Sequence, residues 1–337
     1  SVIIILKMQI ERPKIELYKV RSFGEKFSAI FEFIRENFKF LLRACTYLLL
    51  PLCLVQGFAM EMMMKVLAPY YTNTFDMGED VDVAQGMLLR FGASYVGYGI
   101  CLLIGSTLLA GICYSMVKYY HKSPNRLRNT TLSDLKPIII QVIKRSLLMT
   151  VVLVALFIVV LVLIISFAAI TSAPILAVIP ILALVVCCLP VSMALPVYVF
   201  EDEETLFSSI TRGLKLGFHS FWSLFGLMFV IGFLTNILSS FTSIPWYILT
   251  VVKSVLLATD TTQSSFAASP VYSFFVYLSS VFMNFGMYLT MTISTFALAF
   301  HYGSIAEEED GFSVEDDIQH FEELAEKDTD IDNFGKL

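Results

Sequence analysis

Apolar residues follow two patterns along this chain. The first is the long uncharged run. No Asp, Glu, Lys or Arg falls between Phe91 and Val117, between Ser146 and Phe200, or between Thr261 and Ala306. A bilayer-crossing helix needs about 20 mostly apolar residues, and these runs supply them. They predict spans at residues 40–60, 89–117, 146–170, 174–198, 219–240 and 271–301. The second pattern has the 3.6-residue period of an amphipathic helix. From Ser22 to Phe38, residues Phe23, Phe27, Ile30, Phe31, Ile34 and Phe38 form an apolar stripe, with Glu25, Lys26, Glu32, Arg35, Glu36 and Lys39 on the remaining face.

Two more stretches have this character: Thr131 to Arg145, and Glu204 to Phe218 with the stripe Leu206, Phe207, Ile210, Leu214 and Phe218. All three are expected to lie on the membrane surface as interfacial helices. Contact with lipid or with the bundle is expected from Phe27, Ile30, Phe31 and Ile34 in the first and from Phe207, Ile210 and Leu214 in the third. Ser22 with Glu25, and Thr131 with Asp134, have the spacing of a capping box. Glu201, Asp202, Glu203 and Glu204 stand where a helix dipole favours anions. The order suggests a repeat in which a surface helix precedes a hairpin of two spans. The first and third units align at an offset of 180 residues, Phe27-Ser28-Ala29-Ile30 against Phe207-Ser208-Ser209-Ile210 and Phe38 against Phe218. Ile244 to Ala258 is apolar but too short to cross. It reads as an outer interfacial or re-entrant helix anchored by Trp246 and Tyr247.

Composition sharpens the class. Of the 337 residues 57% are apolar and only 15% charged, against about 25% charged in a soluble domain. Charge then sets orientation. Twenty Lys and Arg fall on the side of both termini and three (Lys65, Arg90 and Lys253) on the other. Positive residues stay in the cytoplasm, so both termini are expected there. The opening Ser1 to Leu6 and Lys7 lack the basic, apolar and cleavage regions of a signal peptide. The expected fold class is all-α, a polytopic bundle of about six transmembrane helices with amphipathic interfacial helices. Its parts are an N-terminal segment (1–21), the membrane domain (22–302) and an acidic tail (303–337).

Candidate chemistry is sparse. No charged residue lies mid-span, where ion-coupled carriers usually need one. Walker A, GxSxG and HExxH patterns are missing. Cys45, Cys53, Cys101, Cys113, Cys187 and Cys188 all sit in apolar segments without a CxxC pair and read as packing residues. His219 and His301 fall at the same ends of their spans. Four prolines, Pro174, Pro180, Pro190 and Pro196, mark the fourth span as broken. Small residues in the second span, Gly97 and Gly111 among them, permit close helix approach. Asn236, Asn284, Thr290, Thr292, Ser294 and Thr295 are expected to bond between helices. No catalytic residue, cofactor or metal site is expected, and no nucleic-acid partner. The tail carries 13 acidic and 2 basic residues. Val314, Ile318, Phe321 and Leu324 fall on one helical face of it, a docking face for the bundle or for a protein partner.

Arg21-Ser22-Phe23-Gly24-Glu25, and the run Ile210-Thr211-Arg212-Gly213-Leu214-Lys215-Leu216-Gly217-Phe218-His219-Ser220-Phe221-Trp222, carry a resemblance. They resemble bacterial multi-span proteins of the glycerophosphoryl diester phosphodiesterase membrane domain. The resemblance implies a helical bundle in a bacterial cytoplasmic (inner) membrane. It carries over no catalytic residue, because no stretch here could form the roughly 250-residue barrel that does that family's chemistry. The expected function is therefore that of a non-enzymatic scaffold, assembly or regulatory partner touching the lipid bilayer. The alternative is a carrier or channel for a neutral or lipidic substrate.

Overall fold

The computed structural model describes residues 13–72, 81–124, 126–128, 130–171, 174–259 and 269–312. Eight α-helices occur among them, and no strand: α1 (Phe23–Thr72), α2 (Val81–Lys122), α3 (Leu132–Ile170), α4 (Val178–Val191), α5 (Ala194–Phe200), α6 (Leu206–His219), α7 (Phe221–Thr259) and α8 (Pro270–Asp310). A 3₁₀ turn, Pro174–Ala177, leads into α4. Among the described residues six helical segments are long and apolar enough to cross a membrane: Phe23–Met63, Gly92–Lys122, Leu132–Ile170, Ile175–Phe200, Phe221–Leu256 and Pro270–Asp310. The protein is a multi-pass membrane bundle, as the apolar runs predict.

The helices are longer than the spans. At 1.5 Å per residue, the 50 residues of α1 extend about 75 Å, more than twice the hydrocarbon core of about 30 Å. The amphipathic stretches from Ser22 and from Thr131 are accordingly the first turns of α1 and α3, not separate surface helices. Each starts on its expected carboxylate: Glu25 accepts the Ser22 N–H at 2.7 Å, and Asp134 the Thr131 N–H at 2.8 Å. Ile244 to Ala258 is likewise no separate outer helix. Pro245 lies inside α7, which continues to Thr259.

The fourth span is broken as its prolines require. Pro190 lies in the last turn of α4, Ser192 and Met193 interrupt, and α5 carries Pro196. Proline cannot donate to the preceding turn, so the chain re-forms its hydrogen bonds around Ser192, whose N–H reaches Cys188 and Leu189.

Helix α8 is the axis of the molecule. Its buried residues run from Tyr272 to Ala306, and α1, α2 and α7 pack around it. The largest core cluster joins Ile30, Phe33 and Leu49 of α1 to Tyr114 and Tyr120 of α2 and to Tyr288, Phe296 and Phe300 of α8. Phe33 sits between three rings, Tyr120, Phe296 and Phe300, at 5.1, 5.1 and 5.6 Å. Cys45, Cys53 and Cys113 are buried here as free packing thiols. By contrast, no side chain is buried between Val151 and Phe167 of α3 or between Val178 and Leu189 of α4. That hairpin stands at the edge, with lipid as its natural solvent.

Candidate functional site

Both described chain ends lie at one end of the bundle, and the polar side chains concentrate there. Residues 13–22 form a strap across it. Ile15 N–H donates to the Tyr120 hydroxyl at 3.3 Å, Lys14 Nζ to the carbonyl of His121 at 2.6 Å, and Arg21 N–H to Ser304 Oγ at 3.0 Å. Leu17 is buried, with its carbonyl against Gly303. The strap thus ties the end of α2 to the end of α8. Burial lowers the Lys14 pKa.

Beneath the strap lies a buried polar chain. Lys26 is only 3% exposed and His301 fully buried. Lys26 Nζ lies 3.2 Å from His301 Nδ1 and 3.4 Å from Ser223 Oγ, and His301 Nε2 lies 3.1 Å from Ser220 Oγ. A lysine ammonium has donors only, so it donates to Nδ1. The proton of the ring is then on Nε2, donating to Ser220 Oγ, which donates in turn to the Leu216 carbonyl at 2.8 Å. Sequence spacing assigns Lys26 to the polar face of α1, and that assignment is corrected: α8 packs against that face, and His301 with Ser223 compensates the burial. His301 meets Ser220, whereas the neighbouring His219 lies 3.4 Å from Glu309.

A second network fixes the turn between α5 and α6. Asp202 is met by Lys118 at 2.6 Å, Arg145 at 3.0 Å and Lys122 at 4.0 Å, and Arg145 also stacks over Tyr198 at 4.7 Å. Glu201 accepts from Arg212 at 2.9 Å and from the Tyr302 hydroxyl at 2.7 Å, while Arg212 also reaches Asp310 at 2.6 Å. Burial raises the Glu201 pKa in spite of Tyr302 and Arg212. Burial opposes the charge of Arg212 too, but Glu201 and Asp310 outweigh it and hold that pKa up. Glu201 and Asp202, expected to complement a helix dipole, are instead bound to side chains of other helices. Thr205 takes the capping position of α6.

A third polar group lies at mid-span. Gln56 Nε2 donates to the Tyr288 hydroxyl at 2.8 Å, and the Tyr98 hydroxyl to Asn284 Oδ1 at 2.9 Å. Gln56 Oε1 is buried without a hydrogen-bond partner. Of the polar residues singled out in the sequence, Asn284 does bond between helices. Asn236, Thr290, Thr292 and Thr295 bond carbonyls of their own helices. Gln56, Tyr98 and Tyr288 escape sequence reasoning, since one amide and two phenols among apolar residues have no distinctive spacing.

The amphipathic stripes divide. On α1, Ile30 is buried and Ile34 and Phe27 partly so, while Phe31 is 40% exposed. On α6, Ile210 and Leu214 are half-buried and Phe207 is 76% exposed. The face that α6 buries is made of small residues, Ser209, Gly213 and Gly217 with Leu216. A Cβ on Gly213 would strike the backbone of Ala194, and one on Gly217 the backbone of Pro190. Helix α6 therefore lies backbone to backbone against the proline-broken span. The offset of 180 residues keeps this inward register: Ala29, Phe33 and Asn37 of α1 are buried like Ser209, Gly213 and Gly217. Val314, Ile318, Phe321 and Leu324 lie outside the described residues. Among the described residues no group of three His, Cys, Asp or Glu side chains could hold a metal ion.

No family model, no curated protein and no solved structure matches this chain.

Proposed function

We propose that the chain is a non-catalytic scaffold, assembly or regulatory protein of the bacterial cytoplasmic membrane, with both termini inside and the exposed aromatic side of α6 in contact with lipid. The observation that carries this reading is the use to which polar groups are put. At mid-span Gln56, Tyr288, Tyr98 and Asn284 join α1, α2 and α8 to one another, and at the charged end every described network locks one helix to another. Ser220, His301 and Lys26 resemble a relay, but their polarity is the reverse of general-base catalysis. His301 donates to the serine instead of accepting from it, and the third member is a cation. The resemblance to the phosphodiesterase membrane domain agrees with a bundle that lacks chemistry of its own.

One observation favours a carrier for a small neutral or lipidic substrate instead. Gln56 Oε1 is a buried acceptor with no partner, a group that a polar ligand would satisfy. Proteoliposomes separate the two readings. The scaffold reading expects passage of neutral solutes and of fluorescent phospholipid at the rate of protein-free vesicles. Accelerated passage that is lost in Gln56→Leu/Tyr288→Phe would overturn it in favour of the carrier.

A further inference from the structure

The end of α8 shows where the acidic tail sets out. Gly311 takes the left-handed conformation, φ 66° and ψ 42°, and its N–H closes on the Glu307 carbonyl. This is a helix stop that turns the chain. The next residue, Phe312, lies with its ring 4.9 Å from Tyr18 of the strap and packs on the cluster of Met193, Leu216 and Tyr302. Tyr18 in turn is 5.6 Å from the ring of His121, where α2 ends. Phe312 thus seats the start of the tail against the strap, beside the end of α2.

The surface met there is basic and partly apolar. Lys19 and Lys136 are exposed, and the Lys122 side chain is 65% exposed. Val20 on the strap is 56% exposed. Residues 118–145 carry seven Lys and Arg against Asp134 alone; Lys118, Lys122 and Arg145 of these meet Asp202, and Arg126 meets Glu36. The segment that arrives is complementary. Residues 313–326 hold six carboxylates and no Lys or Arg, and Val314, Ile318, Phe321 and Leu324 recur on one helical face. As a helix of 14 residues it would be about 21 Å long, enough to cover the strap and reach the end of α2.

We propose that residues 313–326 dock across the strap, over Tyr18 and Val20, with their carboxylates toward Lys19, Lys122 and Lys136. Phe312 is the first contact of that interface. Charge steers the segment, and its apolar face holds it, because exposed ion pairs are screened by salt. This inference does not rest on the scaffold reading, since a carrier could hold its tail in the same way.

Hydrogen exchange on the full chain in lipid nanodiscs tests it, with peptides covering 314–325. Burial of a side chain the size of Phe321 shifts the docked-to-free ratio by about tenfold or more. The wild-type amides are therefore expected to exchange at least about tenfold more slowly than in Ile318→Asp/Phe321→Asp. Protection should persist in high salt. Lys19→Glu/Lys136→Glu, at exposed positions outside the Asp202 network, should weaken it. Full exchange in the wild-type protein would overturn docking. So would protection unchanged in Ile318→Asp/Phe321→Asp, which would reflect local helix alone. Protection insensitive to Lys19→Glu/Lys136→Glu would overturn this location.

Discussion

Glu201 and His301 show why single residues at the charged end resist reading from sequence. Each is ordinary in its local context and acquires its role from a helix far along the chain. His301 satisfies Lys26 and Ser220 at once. A buried polar group left without its partner costs about 1–3 kcal/mol. His301→Ala takes a partner from both Lys26 and Ser220, leaving buried Lys26 only the 3.4 Å contact to Ser223, so its melting temperature in detergent should fall well below that of His219→Ala, at a half-exposed ring. Equal melting of the two variants would contradict the buried chain. Glu201 adds a pH dependence. Its folded-state pKa is raised by burial, so the native state holds that proton more tightly than the unfolded chain. The resulting stabilisation is fully present below the unfolded pKa and is lost as pH rises through the folded one. Glu201→Gln retains an acceptor for Arg212 and Tyr302 but has no proton to lose. Its melting temperature should gain on wild type between acid and neutral pH. A constant difference across that range would disprove the assignment.

At the scale of the element, the amphipathic stretches are legible but their inward faces are not. Apolar residues on α1 face both core and surroundings, since a membrane protein has lipid where a soluble one has water. Hydrophobicity therefore does not separate Phe33, which is 1% exposed, from Phe31 at 40%. Phe33→Ala should cost about 3–5 kcal/mol, while Phe31→Ala should stay within about 0.5 kcal/mol, by unfolding in detergent. On α6 the small residues face inward. Gly217→Val would force a side chain onto Pro190, and overpacking of this kind costs about 1–3 kcal/mol. Phe207→Ala should leave stability unchanged, because its ring is exposed. If Phe207→Ala proved the more damaging, the packing of α6 against the fourth span would be wrong.

For the whole molecule, the twenty-to-three distribution of Lys and Arg predicts an orientation with both termini in the cytoplasm. Single cysteines at positions 73 and 123 in a cysteine-free background test it; position 73 lies outside the described residues. An impermeant maleimide applied to intact cells should label position 73 and spare 123. The opposite pattern would invert the topology and place the charged networks outside.

The sequence by itself determined that this is an all-α membrane protein with six spans, where two capping boxes start helices, and that its fourth span is broken. These properties depend on how many apolar residues follow one another and on what proline and the first helical turn do locally, so neighbours in sequence suffice. The tertiary structure alone decided the rest. It joined the amphipathic starts to the spans, placed α8 at the axis with α3 and α4 at the edge, and buried Lys26 against His301, 275 positions away. Burial in a bilayer has no hydrophobic signature, since lipid and protein interior are equally apolar. Which face turns inward is settled by shape and by hydrogen bonds between distant helices, and neither is written in the local pattern.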